Sequence, residues 1–254
     1  MVAAIILSAM RFCCPKCGRE DEVIGDTTPN CFCCGTALLR AVTYKGLWMS
    51  PRIAVVRMNT LIEKHGYEEA TTSGRYKRER EAWTTGMYAL GLAEMYSKEY
   101  WVEIETVDQT PDTRVHHIDQ SAGHNQIGTQ HIEIVDWEEH VDDALDLIKQ
   151  KCRRAYPPYF CLLLLARNGK NFDVGGITRE IRAVDIPFAE IWVLGRISDQ
   201  AITLLRLFPS SMRVDFDIAD ALEKGKRQGH FMVRQKRGAS TEFRDLGPTF
   251  LPIP

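Results

Sequence analysis

Apolar residues recur with a helical period from Ile53 to Lys64, which predicts a helix that stops at His65-Gly66, where glycine takes a left-handed conformation at no steric cost. A longer helix is predicted over about Arg75 to Lys98, with Ala82, Met87, Leu90, Ala93 and Met95 among its apolar positions. The period then changes to two. Tyr100 to Val107, Thr113 to Ile118 and Gln130 to Asp136 alternate as strands and are expected side by side as a meander. From Glu138 to Arg153 the helical stripe returns with Val141, Ala144, Leu145, Ile148 and Cys152, acidic residues crowding its start and basic ones its end, as the helix dipole favours.

The run Phe160 to Ala166 is continuously apolar and reads as a strand buried on both faces. A short helix over Ile177 to Val184, a buried strand over Pro187 to Leu194, a strand nearer an edge over Ala201 to Phe208 and a helix over Phe216 to Lys224 complete the pattern. This order predicts an α/β domain over residues 52–224, a mixed sheet flanked by helices, followed by a loop-rich tail over 225–254.

The first forty residues follow a different logic. Cys14-Pro-Lys-Cys17-Gly18 and Cys31-Phe-Cys-Cys34-Gly35 are two Cys-x-x-Cys pairs with thirteen residues between them, each followed by glycine. Four thiolates at this spacing suit a closed tetrahedral zinc site, so residues 11–40 are expected to form a small zinc ribbon with Cys14, Cys17, Cys31 and Cys34 as ligands. Such a site has no open coordination position, so it builds structure and does no chemistry. Six of the eight cysteines lie in the first 34 residues, a distribution that fits a metal site rather than a disulfide framework and implies a reducing, cytoplasmic setting. The apolar opening, Met1 to Met10, lacks a positive flank and is too short for a bilayer, so neither a secretory signal nor a membrane span is expected.

The 254 residues are 44% hydrophobic and 26% charged with a formal net charge of −2, a soluble composition that excludes capture of nucleic acid by the whole surface. Local basic runs remain at Arg75 to Arg80 and from Lys224 to Arg237, the kind of run that is often only a solvated face.

The acids give the sharper chemistry. Glu81 falls in the long helix, Pro111-Asp112 lies where the second strand begins, and Glu133 sits inside the third, with twenty residues between Asp112 and Glu133. In element order, the literal Pro-Asp and the later strand Glu, residues 75 to 210 resemble the restriction-endonuclease-like fold, the PD-(D/E)XK nuclease superfamily. The resemblance implies that Asp112 and Glu133 hold magnesium or manganese, with Glu81 as a further acid and the main-chain carbonyl of Ile134 as a further ligand. Hard cations prefer such oxygens, and a scissile phosphate needs its growing charge neutralised. The family's lysine two residues after the strand acid is here Val135; in some members it moves to the next helix, where this chain has Lys149 and Lys151, between which the sequence does not choose.

Each residue also has a plainer role. Pro-Asp often marks a turn, Glu81 fits a solvated helix face, and both lysines suit a helix C-terminus. His116, His117, His124, His131 and His140 cluster without the spacing of a metalloprotease helix, although His131 alternates onto the face of Glu133. There is no Walker loop, dinucleotide fingerprint or Gly-x-Ser-x-Gly elbow. The leading expectation is thus a metal-dependent nuclease acting on DNA, with the zinc ribbon aiding nucleic-acid or protein binding and a homodimer as a compatible assembly. The alternatives are a nuclease-like module that has lost cleavage and binds DNA or protein, and an interaction scaffold.

Overall fold

The computed structural model describes residues 10–13, 20–23, 39–40, 47–104, 111–119, 126–138, 143–167, 173–237 and 240–245. The chain divides into two compact units, residues 1–44 with 251–254 and residues 45–250. In the first, β1 (Met10–Cys13), β2 (Glu20–Val23) and β3 (Leu39–Arg40) form an antiparallel sheet in the order β2-β1-β3. The four expected zinc ligands, Cys14, Cys17, Cys31 and Cys34, lie outside the described residues.

The second unit is a mixed α/β domain. It opens with β4 (Leu47–Met49), α1 (Pro51–His65), α2 (Tyr67–Thr72) and α3 (Lys77–Tyr96). The side chain of Ser50 caps α1, proline occupies its first turn, and Gly66, at φ 83°, ends it. The meander follows as β5 (Tyr100–Ile104), β6 (Thr113–Asp119) and β7 (Gln126–Trp137). Then come α4 (Ala144–Cys152), β8 (Phe160–Ala166), α5 (Val174–Arg182), β9 (Glu190–Arg196), β10 (Ala201–Phe208), β11 (Met212–Asp217) and α6 (Ile218–Lys224). The last strands are β12 (Phe231–Arg237) and β13 (Ser240–Asp245).

Ten strands share one sheet in the order β11-β10-β9-β8-β7-β6-β5-β4-β12-β13. Among the described strands, β7-β8 and β8-β9 are the parallel pairs, each crossing over through a helix, α4 or α5. On one face, Val135, Leu162, Leu164 and Val193 meet Leu145 and Ile148 of α4 and Ile181 of α5 in a buried cluster. The opposite face carries α3, which lies against β5, β6, β10 and β11 and packs on α1. The helix comes close to its neighbours through two glycines. A Cβ at Gly86 would stand 2.9 Å from the Ala54 Cβ and 3.0 Å from the Pro51 carbonyl oxygen, and one at Gly91 would meet Leu204 at 2.7 Å.

The C-terminal segment departs from the sequence expectation. Within 225–254, expected as a loop-rich tail, β12 pairs with β4 and β13, so this stretch completes the sheet. Its basic residues Arg234, Lys236 and Arg237 masked the strand, because charge there overrides any simple apolar alternation. Other boundaries shift too: α5, expected over Ile177 to Val184, runs Val174–Arg182, and β7, expected from Gln130, begins at Gln126. The expected Phe216 helix begins at Ile218, because β11 runs to Asp217 and the Asp217 side chain caps the helix. In place of the strand expected from Pro187, β9 begins at Glu190. No helix among the described residues is long and apolar enough to cross a membrane.

Candidate active site

The meander and the parallel strands meet on β7, whose first half pairs antiparallel with β6 and whose second half pairs parallel with β8. Thr113, the first residue of β6, stands opposite Ile132, so Asp112 comes level with Glu133 just where the two strands part. Beyond that point no strand among the described residues pairs with β7 on its β6 side. The Asp112 carboxylate takes the place of the missing strand, its Oδ2 accepting the Ile134 backbone N–H at 2.8 Å. Pro111 is buried beside it and Thr113 is fully buried, so the turn is held from both sides.

Glu133 is 5% exposed. Its Oε1 accepts from Lys151 Nζ at 2.7 Å and from the Tyr156 hydroxyl at 3.0 Å. Lys151 lies in the last turn of α4, and the chain after the helix brings Tyr156 back over the strand. Burial, and then the neighbouring Glu133 charge, push the Tyr156 hydroxyl up to about 12, so the phenol stays protonated and donates.

Asp112 is held above the usual carboxylate range. Burial is the main cause and the charge of Glu133 adds to it, while the Ile134 N–H and the ammonium groups of Lys151 and Lys77 oppose it. Lys77 also pairs with Glu81 at 3.5 Å within α3. One turn on, Thr85 Oγ1 donates to the Glu81 carbonyl at 2.7 Å and lies 2.7 Å from Thr113 Oγ1, pinning α3 to the first residue of β6.

Asp112, Glu133 and Lys151 therefore come together, and of the two candidate lysines it is Lys151 that reaches the acids. Among the described residues no hydrogen bond or ion pair joins Lys149 to either acid. No group of three His, Cys, Asp or Glu side chains there is placed to share a metal ion, so Glu81 does not complete a three-side-chain cluster with Asp112 and Glu133. Sequence reading missed Tyr156 and Lys77. A tyrosine in a post-helix segment, and a lysine in a basic run, carry no signal of where the chain returns.

The histidines have mainly structural partners. His116 is buried, stacked on Trp48 with ring centroids 4.1 Å apart; Nε2 lies 2.7 Å from Glu103 Oε2 and Nδ1 2.9 Å from Thr129 Oγ1. The His117 ring lies over Gly128, where any Cβ would collide with it. His131 faces the same side as Glu133, accepts from Arg114 Nε at 3.2 Å and stacks on Phe160; burial and the Arg114 charge lower its pKa, favouring the neutral ring. His124 and His140 lie outside the described residues.

Chemically, two adjacent carboxylates with a nearby ammonium form an oxygen-rich site suited to a hard divalent cation. Comparisons of the chain with protein-family models, with curated proteins and with solved structures found no match.

Proposed function

We propose that this chain is a divalent-cation-dependent nuclease of the restriction-endonuclease-like kind that hydrolyses DNA phosphodiesters. The observation that carries the reading is the contact of Lys151 with Glu133, beside Asp112, because it supplies from the following helix the ammonium that Val135 cannot. The order of the meander, α4 and a parallel β8 supports the same assignment.

Asp112 and Glu133 would hold magnesium or manganese, with the Ile134 carbonyl as a further ligand, and magnesium's habit of retaining waters suits a site with two protein carboxylates. Their fit to a cation rests on Asp112 itself: a half-buried carboxyl beside a second acid ionises reluctantly, and a bound cation removes that penalty. When bound, the cation neutralises charge on the phosphate and favours ionisation of water. Lys151 orients the attacking water and balances the charge gathering on the phosphate oxygens, while Tyr156 fixes the Glu133 carboxylate. Water adds to phosphorus and one P–O ester bond breaks, leaving a phosphate end and a hydroxyl end. Cys14, Cys17, Cys31 and Cys34 are retained as a structural zinc site that aids nucleic-acid or partner binding.

Incubation of the purified chain with DNA and magnesium or manganese tests the reading. Cleavage by the wild type, lost in Asp112→Asn and in Glu133→Gln, is expected. Cleavage that survives both substitutions overturns the site, and salt-sensitive DNA binding without cleavage in the wild type assigns the chain to the binding-module alternative.

A further inference from the structure

A groove of about 740 Å³ opens at the carboxyl ends of β8 and β9, beneath α1, α2 and α3. In α/β sheets that end of parallel strands is the usual place for a ligand. Its floor is apolar, made by Met58, Ile62, Trp83, Leu165, Leu194 and Ile202. Arg80, Arg167 and Arg196 supply three guanidiniums to the lining, against one carboxylate, Asp199, which Arg196 already holds at 2.5 Å.

Each arginine is positioned by one side of its guanidinium and keeps donors to spare. Arg80 Nη1 donates to the Ser73 carbonyl at 2.6 Å, and Arg167 Nε donates to Asp136 at 3.1 Å. Arg196 donates through Nε to the Ser198 carbonyl and through Nη2 to Asp199. An apolar, tryptophan-bearing floor under a cationic rim matches a molecule with one flat apolar part and one anionic part.

On α3, Arg80, Trp83, Thr84 and Met87 line the groove, while Thr85 reaches Thr113 of β6, so the helix that walls the groove also borders the strand that Asp112 precedes. We infer that this groove receives an unpaired nucleotide of the substrate strand, its base on the Trp83 side and its phosphates at Arg167 and Arg196, and so selects single-stranded DNA or frayed ends over intact duplex. The inference rests on the nuclease reading for the identity of the strand, although binding itself needs no cleavage.

The test is fluorescence anisotropy of a short labelled single-stranded oligonucleotide, and of a hairpin duplex of the same sequence, in magnesium-free buffer. The Arg167→Glu/Arg196→Glu double variant is expected to bind the single strand about tenfold or more weakly and with a salt slope shallower by about two, since each phosphate contact contributes about one. Trp83→Leu is expected to weaken it by about tenfold, as loss of a stacking platform does, and Trp83→Phe by much less. Both arginines are substantially exposed, at 36% and 61%, and their ion pairs contribute little to folding, so unchanged thermal midpoints are expected for the double variant. Wild-type affinity and strand preference in both the arginine and Trp83→Leu variants overturn the inference. If that occurs while cleavage still depends on Asp112 and Glu133, only the groove inference falls; if groove-dependent binding holds with no cleavage, only the nuclease reading falls.

Discussion

Asp112 Oδ2 accepts the Ile134 backbone N–H at 2.8 Å, satisfying a donor that pairing with residue 111 would have satisfied had β6 begun two residues earlier. A candidate ligand thus also has a structural duty, and the two can be separated. Asp112→Asn keeps an acceptor, so its urea midpoint should stay near that of the wild type while cleavage is lost. Asp112→Ala orphans the N–H and should lower stability by about 1–2 kcal/mol.

Lys151 and Lys149 share a helix but not a role. Lys151→Ala should reduce the single-turnover cleavage rate by about 10² to 10³, the usual cost of removing one group that stabilises developing charge. Lys149→Ala should cleave at the wild-type rate. Equal effects in the two variants would remove Lys151 from the site.

The raised pKa of Asp112 sets a pH dependence with a definite sign. A carboxyl whose folded pKa lies above its unfolded value costs stability when ionised, and the cost disappears as pH falls through the folded pKa. At neutral pH without divalent cations, Asp112→Asn should therefore melt no lower than wild type, and any advantage should shrink on acidification. Magnesium should raise the wild-type melting temperature at neutral pH and leave that of Asp112→Asn unchanged, because the cation relieves the same penalty. Calorimetry across pH, with and without magnesium, checks both statements.

Gly86 is where α3 closes on α1. Alanine there gains about 1 kcal/mol of helix propensity but sets a methyl against the Ala54 Cβ and the Pro51 carbonyl, neither of which can rotate aside. Overpacking should win, leaving Gly86→Ala about 1–2 kcal/mol less stable than wild type by chemical denaturation.

Much of the scaffold was legible because its signals are local. The period change at Tyr100, the unbroken apolar run of β8 and the glycine stop at Gly66 each report on neighbours in sequence. Strand partners beyond the meander were not legible. The pairing of β12 with β4 joins segments some 180 residues apart in a stretch whose charges hide its period. At the candidate site, the two acids could be picked out from spacing and likeness, whereas the choice between Lys151 and Lys149 depended on the phase of α4 above β7. Tyr156 was invisible because a returning loop leaves no periodic trace. Arg167 follows β8 and Arg196 ends β9, places where the strand periodicity stops and gives no sign that two distant side chains meet.

The pairing of Met49 with Phe231 carries a consequence for how the molecule is made. Until residue 231 has emerged from the ribosome, β4 has only β5 beside it, and its other edge, bearing two residues that are buried in the finished fold, Trp48 and Met49, offers unpaired backbone groups to any extended chain nearby. The late strand is thus a built-in clasp. A growing or prematurely ended chain would be sticky, and only the arrival of β12 makes the domain self-contained.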